Sequence, residues 1–183
     1  MHNPELHALA RIDWQLFCTF TFKSERKSDA IRQSIFFALL RTQAKVWKVH
    51  FKRLLWCLRR ESGESTGRLH YHAIIAGLPP QAVTERNCLA VMSQWESLGG
   101  GIARVRAYDS SLDGLDYVLK GSELTESRAT RWAGDYHELT KFGGSCDVTL
   151  SMSLVRALNG RRGDKGQRRI ERLRKVEQAI PLL

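Results

Sequence analysis

The chain has 183 residues, 43% of them apolar, which suits one domain with a proper core and leaves little room for a second. A formal charge of +10 and a pI near 9.8 ask for a polyanionic partner, with nucleic acid ahead of an anionic membrane surface. No apolar run approaches the roughly 20 residues that span a bilayer, and Met1 to Ile12 lacks the basic-then-apolar form of a secretory signal. Cys18, Cys57, Cys88 and Cys146 show no CxxC spacing, a pattern of reduced cytoplasmic thiols rather than of a disulfide framework or a zinc knuckle.

Trp14 to Lys23 alternates with period two. Trp14, Leu16, Cys18, Phe20 and Phe22 fall on one face and Gln15, Thr19, Thr21 and Lys23 on the other, with Phe17 the exception. Asp29 to about Val49 reads as a helix with Ile31, Ile35, Leu39 and Leu40 at helical spacing and Ser28 as its cap. Arg53 to Ser62 and Arg68 to Ala76 are strand-like runs joined by Gly63 to Gly67, a hairpin. Pro79-Pro80 opens a helix that runs through Trp95 to about Leu98 and is closed by Gly99-Gly100-Gly101. Ile102 to Tyr108 is a short strand, and Ser110 to Lys120 a short helix ended by Gly121. Residues 122 to 144 are poorly periodic and read as loop-rich, and Thr149 to Leu158 is ordered but of unassigned type. Arg161 to Glu177 holds eight basic residues against three acidic ones and an apolar stripe of Ile170, Leu173, Val176 and Ile180. It reads as a basic amphipathic helix, either packed by that stripe or laid on a DNA backbone. The division expected is a domain over 1–160 and a basic tail over 161–183.

This order predicts an α+β fold: an antiparallel sheet of about five strands, helices packed on one face and the other face left for chemistry. In the hairpin, Leu54, Trp56 and Leu58 alternate with Cys57, Arg59 and Glu61, and Leu69, Tyr71, Ala73 and Ile75 with Arg68, His70, His72 and Ile74. If the apolar sets meet the helices, Glu61, His70 and His72 emerge together on the open face, with Glu61 across from Arg68 or His70. Two imidazoles and a carboxylate form a facial site for a divalent ion. Glu64, in the turn, is the alternative third ligand.

On the helix after the last strand, Leu112, Leu115 and Leu119 make an apolar face. Tyr117, Lys120 and Asp113 fall opposite, Asp113 being a candidate extra ligand. A tyrosine hydroxyl, with a pKa near 10, is a poor nucleophile at neutral pH and needs help. An ion that polarises a phosphodiester and a lysine beside the phenolate supply it, so Tyr117 and Lys120 are the catalytic candidates. Thr19, Thr21, Arg59, Arg68, Arg104 and Arg106 are the candidates for contact with DNA. Tyr108, alternating with the last two arginines, offers a ring for base stacking.

FCTFTF at Phe17–Phe22, GRLHYHAII at Gly67–Ile75 and YVLK at Tyr117–Lys120 resemble, in order and separation, the motifs of HUH endonucleases of the single-tyrosine replication-initiator type. The resemblance covers about two-thirds of the chain. It implies a five-stranded antiparallel sheet, a Mg²⁺ or Mn²⁺ requirement and a 5′-phosphotyrosine intermediate with a free 3′-hydroxyl. It also implies single-stranded or hairpin origin DNA as substrate, with a host replication helicase or polymerase as further partners. The chain contains no GxxxxGK[ST] for a helicase domain, which points to a plasmid or small-phage initiator working in the cytoplasm of a bacterial host, away from membranes. A single-tyrosine transposase or relaxase shares the chemistry. A non-catalytic nucleic-acid-binding module and a structural zinc protein are the readings from other classes; paired cysteine ligands for the latter are missing.

Overall fold

A computed structural model describes residues 8–63, 67–119, 130–131, 136–139, 147–151, 153–154 and 156–158. Glu64, Lys120, Cys146 and the basic tail over 161–183 lie outside the described residues. Strand β1 (Leu16–Phe22) buries Leu16, Cys18 and Phe20 on one face and turns Phe17, Thr19 and Thr21 to the other, as strand alternation requires. Phe17 thus breaks the pattern in composition but not in geometry. Trp14 precedes the strand, escapes its alternation and is buried on the opposite side, its indole N–H donating to the Leu9 carbonyl.

Helix α1 (Asp29–Val46) starts at Ser28, whose hydroxyl accepts from the Ile31 N–H. It buries Ile35, Phe36, Leu39 and Leu40 but leaves Ile31 half exposed. Arg32 takes the buried place in the first turn instead, held by Asp29 and the Glu25 carbonyl. Strands β2 (Leu55–Ser62) and β3 (Leu69–Ala76) form the expected hairpin, with Glu61 opposite His70 and Arg59 opposite His72. The two prolines yield only a 3-10 turn over Pro80–Ala82; helix α2 (Glu85–Ser97) begins later, where the Thr84 hydroxyl accepts from the Asn87 N–H. Its end is marked by Gly99 at φ +90°, a left-handed conformation that favours glycine. Gly100 and Gly101 belong to strand β4 (Gly100–Ala107) rather than to a loop.

The expected helix over 110–120 is interrupted. A 3-10 turn, Ser110–Leu112, and Asp113 in the left-handed region at φ +49° precede a helix of six residues, α3 (Gly114–Leu119). The break rotates Leu112 out to solvent, and Val118 joins Leu115 and Leu119 on the buried side. Beyond it lie β5 (Thr130–Arg131), β6 (Tyr136–Leu139) and β7 (Asp147–Ser151), the first two being short strands within the stretch expected to be loop-rich.

The strands form an open sheet in the order β4-β1-β3-β2-β7-β6-β5, antiparallel at every junction. Its body is the five strands from β4 to β7; the short β6 and β5 extend it to seven. Helices α1 and α2 cover one face through Phe20, Phe36, Trp56, Tyr71 and Trp95. Contrary to expectation, the helices are not all on that side. Helix α3 packs on the opposite face, where Leu115, Val118 and Leu119 meet Cys57, Ile74, Val148 and Leu150. No helix among the described residues is long and apolar enough to cross a membrane.

Candidate active site

The sheet face under α3 changes character along the strands. At one end β2 and β3 bury Cys57, Ile74 and Ala76; two residues further along, alternation brings Arg59 and Glu61 from β2 and His70 and His72 from β3 to the same face. Glu61, His70 and His72 converge, their nearest ligand atoms all within 4.8 Å of one another. Nε2 of His72 lies 3.4 Å, and Nε2 of His70 3.7 Å, from Glu61 Oε2. The two rings stand perpendicular, at 89°, with centroids 4.7 Å apart.

The outer nitrogens decide what the inner ones offer. His70 Nδ1 lies 3.2 Å from the Arg68 carbonyl, which only accepts, so Nδ1 is the donor there and Nε2 is the nitrogen turned to Glu61. Thr19, the β1 partner of His72 in the ladder, brings its hydroxyl to 3.1 Å from His72 Nδ1 and can accept that proton in the same way. Second partners of this kind orient metal-binding imidazoles. Burial, reinforced by the nearby His70 and Arg59 and opposed by Glu61, lowers the pKa of His72 to about 4, which leaves the imidazole neutral at neutral pH.

The residues fit a divalent cation. Glu61 Oε2 is buried without a hydrogen-bond donor, an arrangement that costs free energy unless a cation satisfies it. Neighbouring ligands of an ion bound at about 2.1 Å stand about 3 Å apart, close to the observed separations. Glu61 Oε1 is already engaged, accepting from Arg59 Nη2 at 3.2 Å.

Tyr117 comes to this group from above. Its hydroxyl lies 3.5 Å from His72 Nε2, its ring stands edge-on to the imidazole with centroids 4.9 Å apart, and 43% of the residue is exposed. Phe17 meets the same tyrosine ring edge-on at 6.3 Å. Helix α3 reaches this position because Gly114 lets its first turn close on Phe17 and Tyr108; a Cβ there would stand 3.0 to 3.1 Å from both rings. The Tyr108 hydroxyl accepts from the Leu115 N–H at 3.2 Å, so Tyr108 anchors the helix rather than offering a free ring for stacking.

The structure therefore brings Glu61, His70, His72 and Tyr117 together and leaves Asp113 out. Asp113 is not in the convergent group; it lines a separate cavity of about 310 Å³ with Asp13, Trp14, Tyr108 and Asp116. Glu64 and Lys120, the alternative ligand and the second catalytic candidate, are not among the described residues. Of the candidates for DNA contact, Thr19 is engaged with His72, and the Thr21 hydroxyl donates to the Ile102 carbonyl. Arg59 is 5% exposed and turned inward. Arg68 is exposed but paired with Glu25 at 3.1 Å. Arg104 and Arg106 are exposed on the edge strand, the second stacked over Phe17 at 5.0 Å. Sequence reasoning missed the inward role of Arg59 and the place of Phe17 in the site. The anomaly of Phe17 in the alternation was the available signal for the second. Comparison of the chain with family models, with curated proteins and with solved structures gives no match.

Proposed function

We propose that this protein is a metal-dependent nicking and strand-transfer enzyme for single-stranded DNA, with Tyr117 as the nucleophile. The observation that carries the reading is the 3.5 Å approach of the Tyr117 hydroxyl to His72 Nε2, an atom of the convergent Glu61-His70-His72 group. That donor set alone also suits hydrolytic zinc or non-haem iron. A half-exposed phenol presented beside it favours phosphoryl transfer.

Glu61, His70 and His72 would hold the ion, which when bound neutralises charge on a phosphate and polarises it for attack. Arg104 and Arg106 lead the DNA backbone across the sheet edge towards it. The Tyr117 oxygen attacks phosphorus, forming the new P–O bond while the bond to the 3′ oxygen breaks. The phenol gives up a proton and the departing 3′ oxygen takes one up, so the charges balance. A phosphodiester is exchanged for a phosphotyrosine of similar energy, so a 3′-hydroxyl can reverse the step and reseal or transfer the strand. Lys120, three residues beyond Tyr117, is assigned the stabilisation of the phenolate.

The resemblance to HUH replication initiators makes rolling-circle replication of a plasmid or small phage the biological setting, with transposition or conjugative relaxation as relatives in the same chemistry. A non-catalytic binding module is less well supported. Its stacking platform needs open rings, whereas Phe17 is partly covered by α3 and the surrounding face is Thr19, Arg59, Glu61, His70 and His72. The test is incubation with a library of single-stranded DNA and Mn²⁺ followed by denaturing electrophoresis. A covalent adduct is expected from the native protein and none from Tyr117→Phe; adduct persisting in the variant would move the nucleophile elsewhere.

A further inference from the structure

Arg59 carries a buried charge for which DNA contact gives no account. Its Nη1 donates to the Tyr117 carbonyl at 2.7 Å, its Nη2 to Glu61 Oε1 at 3.2 Å, and its guanidinium lies 5.7 Å from the centroid of the Tyr117 ring. One planar group thus touches both the carboxylate of the ion site and the residue that bears the nucleophilic hydroxyl. The contact with Glu61 runs along β2, two residues apart on one face, whereas the contact with Tyr117 crosses to helix α3 and is a product of tertiary docking.

We propose that Arg59 is a positioning residue that couples occupancy of the ion site to the seating of α3 and Tyr117. The inference rests on the divalent-ion part of the function proposed above. Helix α3 has six residues, far too few to be stable by itself. Arg59 donates to the Tyr117 carbonyl and so ties this helix to β2. On the other side, Glu61 has one oxygen on Arg59 and the other, Oε2, turned to the imidazoles. An ion that fixes Oε2 fixes the whole carboxylate, hence the guanidinium, hence the Tyr117 carbonyl. A lysine ammonium cannot reproduce this, since a single point charge lacks the fork that spans both acceptors.

The experiment is hydrogen exchange of residues 114–119 with and without saturating Mn²⁺, alongside calorimetric Mn²⁺ titration, for the native chain, Arg59→Lys and Arg59→Met. The native protein is expected to bind Mn²⁺ and to slow α3 exchange about fivefold or more, the lower end of ordinary coupling between sites. Both variants should still bind Mn²⁺ yet show less than about a twofold change at α3, while protection of β1 and β3 stays native. Arg59→Lys retains the charge and decides the question if the methionine variant does not fold. Equal Mn²⁺-dependent slowing in native and variant proteins overturns the coupling and leaves the ion and nucleophile assignments standing, as does native binding without any slowing. A native chain that binds no Mn²⁺ removes the coupling and the ion site together, and adduct formation then reports separately on Tyr117.

Discussion

The two faces of one sheet are built from the same strands to opposite ends. Under α1 and α2, alternate residues of β1 and β3 are apolar along their whole length and those of β2 through Trp56 and Leu58, before Arg60 pairs with Asp29 of α1; large rings interlock, Phe20 on Trp95 at 4.4 Å and Phe36 on Trp56 at 5.4 Å. Under α3 the intervening residues are apolar only at one end, where Cys57, Ile74 and Leu150 seat the helix, and turn to Arg59, Glu61, His70 and His72 at the other. The first face stabilises the fold. The second spends its apolar half on holding a very short helix over its polar half, and places a tyrosine at the boundary. The convergent side chains are thus carried on strands made rigid from behind.

That contrast can be broken at four points, taken from the largest expected effect. Trp56→Ala, on the packed face, should lower unfolding free energy by about 3–5 kcal/mol in denaturant titrations while the folded fraction keeps its Mn²⁺ affinity. Coupled loss of both would mean that the faces are not separable. His72→Ala, on the site face, should weaken Mn²⁺ binding by more than about a hundredfold in calorimetry, beyond what removal of an outer partner costs. Unchanged affinity would move the ion away from β3. Thr19→Val, which removes the hydroxyl at His72 Nδ1 but keeps the shape, should cost about tenfold in the same titration with little loss of stability. Arg104→Gln should weaken single-stranded DNA binding for every sequence alike and reduce the slope of log affinity against log salt by about 0.7. A slope that does not move would place the DNA path off the β4 edge.

Much of this site was legible from local rules. The face shared by Glu61, His70 and His72 follows from period-two alternation in two adjoining strands, and the length of the hairpin narrows the partner of Glu61 to Arg68 or His70; the structure selects His70. What alternation could not supply is where a side chain turns once it leaves the sheet. Arg59 lies on the correct face, yet its direction is set by α3, whose docking is a tertiary event. Helical phase failed for the same residues: Asp113 in the left-handed region breaks the periodicity, so Leu112 and Asp113 leave the positions that a continuous helix assigns them. Trp14 departs from the alternating face because it lies two residues before the strand begins. Placing every helix on one face was a rule about layers that a six-residue helix evades, since it needs only a small apolar patch.

A nucleophile at Tyr117 working with the Glu61-His70-His72 group can be sought by peptide mapping of protein cross-linked to single-stranded DNA, with reactions run in Mn²⁺ and in excess chelator. Attack by Tyr117 beside a bound ion predicts one DNA-linked peptide, containing Tyr117, formed with Mn²⁺ and absent with chelator. A linkage on another residue, or an equal yield in chelator, would contradict it.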